Sequence, residues 1–427
     1  MYKLLFLPMC VAALFMCAIG PVRAAQPASG MLTSSQLLDE VQRRAFLFFH
    51  EKCDPSTGLV NDRASNTGED SYTVASIAST GYALASLPIA VQHHWISSAD
   101  AYARALVTLR FVNGHMTTEH GWYYHFVDRK TGVRVWNCEL STIDTTLLLA
   151  GALIAGQFWP NTDVQKLANG IYDRVDWNWA RTNGGLQPNK QVVSMGWKPD
   201  TGFLSSNWDS YCELMTLYLL GMGSTHFALP STSWDAWARP KITYGGITTL
   251  TGGPIFLHQM AQGFYNFSHK ADRGGWNYWT TAVNGTRINR RYCLDKMPVR
   301  KTYGPNVWGL NACDGPDGYT AYDAPGHEDG TVSPTGALAS IFLTPDISIP
   351  AGITMYNMYG SRIWGRYGFA DAFNVDRNWY DTDVIGIDLG MATIAIENYR
   401  TGLIWRLLAS HPSTARGLAK AGFHSAP

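Results

Sequence analysis

Charge is scarce in this chain. Asp, Glu, Lys and Arg make up 15% of its 427 residues, and 33 basic against 33 acidic side chains leave a formal net charge of zero. A nucleic-acid partner wants a clustered basic face, so that class is set aside. No low-complexity linker splits the sequence, and no strand–helix alternation calls for a parallel sheet. No Cys/His spacing resembles a zinc site. Beyond the first two dozen residues, no segment reaches membrane-spanning length without charges or glycine.

Those first residues read as an export signal. Lys3 supplies the positive start, Leu4 to Ile19 the apolar run, and Val22-Arg23-Ala24 the small residues before a cut at Ala25. Neither Cys10 nor Cys17 sits in a lipoprotein-type context, so a periplasmic or secreted protein without a membrane anchor is expected. Five cysteines remain: Cys53, Cys138, Cys212, Cys293 and Cys313. An oxidising compartment permits disulfides, and Cys293 with Cys313 is the expected pair by proximity in sequence. An odd count leaves at least one free thiol.

What the chain has in quantity is apolar and aromatic surface. Hydrophobic residues reach 46%, enough for a large folded core. There are 16 Trp, 21 Tyr and 17 Phe. Large rings bury well, so many belong to the core. Beside so few charges, the excess points to a ligand that stacks on rings and carries no charge, as a neutral sugar does. Trp122, Trp136, Trp197, Trp208, Trp276, Trp308 and Trp364 stand next to Gly and Asp in loop-like stretches, where core packing explains them less readily.

Apolar periodicity predicts about a dozen helices: 36–51, 74–87 (ended by Pro88), 97–111, 141–158, 163–177, 211–220, 233–237, 254–267, 280–297, 333–343, 345–359, 383–399 and a short one at 404–410. Short strand pairs are expected around Gly121–Trp136, with a turn at Lys130-Thr131-Gly132. The long loops at 183–209 and 303–331 are rich in Gly, Pro, Trp and Asp, and loops of that length usually carry function. Antiparallel helix pairs with such loops gathered at one end suggest an all-α (α/α)6 toroid, one domain over residues 25–427.

Several carboxylates stand in unusual places. Ser141 can cap a helix that is almost wholly apolar from Leu147 to Phe158, and Asp144 sits at its positive end with Glu139 just before. Asp144 is either a simple capping charge or a functional group. Glu213 falls at the first turn of another apolar helix, two residues past Tyr211, where a carboxyl stays protonated near neutral pH as a general acid must. Asp388, between Ile387 and Leu389, is either functional or an acceptor for backbone amides. Asp62 and Arg63 read as an ion pair shaping a loop, Asp314 and Asp317 as turn residues, and Glu328 and Asp329 as loop acids. Most histidines read as surface or satisfied groups. Cleavage of a glycosidic bond needs two carboxyls of opposite role, and this set can supply both.

Together these stretches resemble the glycoamylase-like family, which includes the endo-β-1,2-glucanases of glycoside hydrolase family 144. The residues that carry the resemblance are 141–151, Trp208–Glu213, Asp314–Tyr319, Asp329–Pro334, Gly365–Asn374, Ile387–Gly390 and Glu397–Trp405. It runs from about Leu37 to Trp405 and implies an (α/α)6 fold and inverting hydrolysis of β-1,2-glucan without a metal or other cofactor. It implies Glu213 as the acid, and it likens Asp144 with Glu139, and Asp388, to the family's other acidic positions. Cys212 stands where the family commonly has Asn, and Leu389 where it often has Gln.

The resulting site comprises Glu213, Asp388 and Asp144 as catalytic groups, either aspartate serving as the base. Glu139, Trp122, Trp136, Trp208, Tyr211, Trp308, Arg63 and Asp317 are the substrate contacts, with no metal. A monomer acting on a neutral oligo- or polysaccharide is expected. An exo-acting or transglycosylating relative on another glucoside linkage, a polysaccharide lyase and a non-catalytic glycan-binding protein are the alternatives.

Overall fold

The computed structural model describes residues 32–181 and 191–426. The export signal read at 1–24 and part of the loop at 183–209 lie outside the described residues. Thirteen α-helices are described: α1 Ser34–Glu51, α2 Ile77–Gln92, α3 Ser98–Gly114, α4 Thr142–Phe158, α5 Asp163–Asp173, α6 Met215–Gly223, α7 Phe256–Phe264, α8 Tyr278–Lys296, α9 Pro334–Leu338, α10 Pro345–Ile363, α11 Gly386–Arg400, α12 Leu403–Ser410 and α13 Pro412–Ala421.

Burial separates these helices into two rings. Nearly every residue of α2, α4, α6 and α11 is buried, as befits helices apolar all round. On α5, by contrast, only Val164, Ala168, Ile171 and Tyr172 are buried, a single stripe facing inward. The inner ring runs α2, α4, α6, α7, α9, α11 and closes where α11 packs on α2. Between α7 and α9 the link is polar: Gln259 Nε2 donates to the Gly336 carbonyl at 2.7 Å. Outside lie α1, α3, α5, α8, α10 and α13, while α12 touches α4, α7 and α11 at the end opposite the inner helices' N-termini. This is an (α/α)6 toroid. Helices α1 to α6 alternate between the rings in chain order. The outer position behind α6 is then filled by α13, from the far end of the chain.

Several elements depart from the periodicity reading. Pro88 does not end α2, which continues to Gln92 with Pro88 buried inside it. Packing on all sides outweighs the roughly 3 kcal/mol cost of proline within a helix. Residues 74–76 and 383–385 form strands ahead of α2 and α11, pairing with Phe126–Asp128 and Arg63–Ser65 respectively. Helix α6 starts four residues later than expected, after a turn in which the Tyr211 amide donates to the Ala238 carbonyl at 2.8 Å. Glu213 therefore sits in the turn before the helix, not in its first turn. Helix α13, Pro412–Ala421, lies beyond the last expected helix at 404–410.

All five described cysteines are free thiols, so the Cys293–Cys313 bridge is not formed. Cys293, on α8, faces the Gly309 backbone, whereas Cys313 faces Asp371 and Asp388. Among the described residues no helix is long and apolar enough to cross a membrane.

The tightest point of the inner ring is α2 against α4. A Cβ on Gly81 would stand 2.5 Å from the Leu147 carbonyl oxygen, and one on Gly151 would stand 1.9 Å from that of Gly81. Gly151→Ala should therefore destabilise by about 1–3 kcal/mol, the usual cost of overpacking. Gly114→Ala, where a Cβ meets nothing within 4 Å, should leave the melting temperature nearly unchanged. Thermal unfolding of the two variants checks this.

Candidate active site

Each inner helix directs its N-terminal end to one cleft of about 510 Å³ or to a smaller adjoining chamber of about 70 Å³. Ser76 before α2, Ile143 and Asp144 on α4, Glu213 before α6, Phe256 on α7 and Ile387 on α11 line the main cleft. Thr335 and Gly336 of α9 and Asp388 of α11 line the chamber. Phe256, Met260, Tyr319 and Ile387 belong to both. A helix N-terminus carries about half a positive charge, so this end of the toroid accommodates carboxylates.

Glu213 is half-buried, and its Oε2 is sealed from solvent with no hydrogen-bond partner among the described residues. Burial pushes its carboxyl up to about 7, with repulsion from Asp144 adding to the rise. The group therefore keeps a substantial protonated fraction at neutral pH, where an ordinary carboxyl would be ionised. Its position is set by the segment before it. Trp208 Nε1 donates to Thr142 Oγ1 at 2.8 Å, tying this turn to the start of α4.

Asp144 is held differently. The Ser141 hydroxyl donates to Asp144 Oδ2 at 2.5 Å and accepts from the Asp144 amide at 3.2 Å. His125 Nε2 lies 3.4 Å from the same carboxylate, and His125 Nδ1 meets Glu139 Oε1 at 2.9 Å. Burial pulls this imidazole down, but Asp144, Glu139 and Asp62 outweigh it and push the group up to about 9. An imidazolium thus bridges two carboxylates, and its hydrogen bond holds Glu139 below the usual carboxylate range. The backbone pins the ring: the His125 amide donates to the Glu139 carbonyl at 3.0 Å, and the His125 carbonyl accepts from Ile77 at 3.2 Å.

In the chamber, Asp388 Oδ1 accepts from Asn311 Nδ2 at 3.0 Å. Its carboxyl also shares a hydrogen bond with that of Asp371. Burial pushes Asp388 up to about 7. Arg63 bridges two acids, with Nη1 at 2.9 Å from Asp314 and Nε at 3.5 Å from Asp62.

The rings divide sharply. Trp136 is 62% exposed and lines the main cleft. It meets Phe126 edge-on at 5.2 Å, and Phe126 stacks on His125 at 3.8 Å, so aromatic surface runs inward toward Asp144. Trp136 and Asn137 both have positive φ, at 56° and 49°. Two consecutive residues strained in this way cost roughly 1–3 kcal/mol each and cluster at functional sites.

The other aromatic contacts inferred from sequence are corrected. Trp122 is fully buried with its indole on the Asp176 carbonyl, and Trp308 is fully buried as well. Trp208 is buried and serves Thr142 as described. Tyr211 is 2% exposed, with its hydroxyl 3.3 Å from His258. None of the four lines the cleft or the chamber. Asp317 is 76% exposed and pairs with Arg377 on the surface. Glu139 acts through His125. Sequence reading also passed over His125, Tyr72, Phe126, Phe256, Asn311 and Tyr319. The β-prone run Trp122–Phe126 was the available signal for His125, but scattered histidines carry little information on their own.

The glycoamylase family model, described as "Putative glucoamylase", matches residues 205–412. A solved Bacteroides caccae protein described in the same words is 30% identical, with TM-score 0.84, and the match covers 92% of this chain and all of that one. The chain belongs to the glycoamylase-like family. Within it, an endo-β-1,2-glucanase from Chitinophaga pinensis, solved with sophorotriose and glucose, is 27% identical with TM-score 0.85, over 92% of this chain and 99% of that one. An exo β-1,2-glucooligosaccharide sophorohydrolase from Parabacteroides distasonis is 29% identical across 91% of this chain. The chain spans 58% of the length of that curated relative.

The raised Glu213 carboxyl has a consequence for stability. Its folded value lies above its unfolded one, so the wild type loses stability as pH rises from about 4.5 through about 7. Gln at this position does not titrate. Glu213→Gln should therefore gain on the wild type between pH 5 and pH 8, by on the order of 2 kcal/mol, as read by denaturant unfolding at the two pH values.

Proposed function

We propose that this protein hydrolyses β-1,2-glucan or its oligosaccharides by an anomer-inverting acid/base mechanism. The observation that carries the reading is a carboxyl pushed up to about 7 by burial, Glu213, in the same cleft as a carboxylate held by hydroxyl and imidazolium donors, Asp144. Glu213 donates its proton to the departing glycosidic oxygen. Asp144 draws a proton from the attacking water, directly or through a substrate hydroxyl. Asp144 is preferred to Asp388 as the base because it lines the compartment that Glu213 lines, whereas Asp388 lines the neighbouring chamber. Inversion requires room for water between the two carboxyls, typically about 6.5–9.5 Å. The β-1,2-glucan-cleaving relatives support the substrate.

Trp136 and the Phe126–His125 stack offer faces for glucosyl units. Asp62, Asp144, Glu139 and Asp388 would repel a uronate, which supports a neutral substrate over the polyanions that lyases take. The reading at residues 1–24 supports export to the periplasm or medium.

Glu213→Gln should cost about 10²–10⁴ in kcat on β-1,2-glucan. Activity within a few-fold of wild type would end the assignment. Wild-type kcat should fall as pH rises through about 7, because Glu213 then loses its proton. Product anomers followed by NMR should appear first as the α form.

Trp136→Gly removes the platform but suits the positive φ. It should raise KM several-fold while leaving the melting temperature equal or higher. A lowered melting temperature with unchanged KM would assign Trp136 to packing.

A further inference from the structure

Behind the chamber, carboxylates from three separate segments converge with one guanidinium among them. Asp314 follows the strand at Ala312–Cys313, Asp371 lies between the strands Gly368–Phe369 and Phe373–Asn374, and Asp381 follows Trp379–Tyr380. One ligand-capable oxygen from each lies within 4.8 Å of the other two. Oxygens around a calcium ion stand at 2.3–2.6 Å from it, so ligands on opposite sides are roughly 4.6–5.2 Å apart. The cluster falls within that span.

A buried, unpartnered oxygen on Asp381 points to the missing ligand. Asp371 is 2% exposed. Its Oδ2 accepts from the Asp314 amide at 2.8 Å, and its carboxyl shares a hydrogen bond with that of Asp388. Asp381 is 9% exposed. Its Oδ1 accepts from the amides of Thr382 at 2.7 Å and Asp383 at 3.1 Å, while Oδ2 is without a partner among the described residues. Asp314 Oδ2 is taken by Arg63. Arg63 is itself shared with Asp62, and Asp388 stands close enough to repel Asp371. One guanidinium does not offset this many carboxylates, and buried charge needs a partner.

We propose that Asp314, Asp371 and Asp381 bind a calcium ion in the wall of the cleft, with water completing its coordination. All donors are oxygens from irregular loops, which suits calcium's tolerant geometry better than magnesium's strict octahedron at 2.0–2.1 Å. The ion has no part in the bond cleavage proposed above. It neutralises the cluster and ties together the segments on which Arg63 and the Asp388 chamber rest.

The test uses the full mature chain, stripped with EDTA and dialysed, titrated with calcium chloride by calorimetry and followed by thermal unfolding. One saturable site is expected, with a Kd of about 0.1–1 mM or tighter, and 10 mM calcium should raise the melting temperature by a few degrees. Asp381→Asn and Asp371→Asn should each weaken binding at least tenfold, while Asp317→Asn, on the surface, should not change it. Circular dichroism establishes that each variant is folded. No binding heat from the wild type up to 10 mM calcium, magnesium binding tighter than calcium, or wild-type affinity in both variants would overturn the proposal. The wild-type titration decides the question even if a variant fails to fold, and it is independent of whether the protein cleaves glucan.

Discussion

Carboxylates carried to the N-terminal ends of buried helices set the terms for the rest of this structure. Asp144 and Asp388 stand in the first turns of α4 and α11, and Glu213 stands just ahead of α6. The helix dipoles favour negative charge there, while burial disfavours it. The balance falls differently at each position. Glu213 has an oxygen without a partner among the described residues and holds its proton to higher pH than an ordinary carboxyl. Asp144 has Ser141 and a charged His125 beside it. Two acids at one end of one toroid are thereby given opposite roles by their surroundings.

The rim pieces make that division possible. The strand Phe126–Asp128 pairs with Val74–Ser76, which places His125 beside the start of α2. Leu140–Ser141 pairs with Gly196–Lys198, which fixes Glu139 and the cap of α4. The Trp208–Thr142 hydrogen bond then joins the turn that bears Glu213 to the same corner. These strands are two or three residues long and would be worth little alone. Seated on the helix ends, they convert a ring of apolar helices into a positioned set of donors and acceptors.

The helices themselves were largely legible. Helices α1, α3, α4 and α8 lie within a few residues of their predicted spans, since capping residues and apolar spacing are local signals. Among the carboxylates, apolar flanks marked Glu213 and Asp388, and the cap pattern marked Asp144. Ring chemistry was far less legible. Trp122, Trp208 and Trp308 sit in loop-like sequence and yet are buried, because loops of a toroid fold back over its ends and pack there. An indole's neighbours come from distant segments, and sequence spacing does not report them.

Composition and local pattern settled that this is an all-helical, weakly charged protein with acids at the mouths of apolar helices, because those properties belong to runs of neighbouring residues. Other features awaited the tertiary structure. It decided that α13 would take the outer place behind α6, that His125 would stand between Glu139 and Asp144, and that Asp314, Asp371 and Asp381 would meet. Each depends on contacts between residues far apart in the chain. Closure of the inner ring makes those contacts, by bringing the loops between its helices to one end.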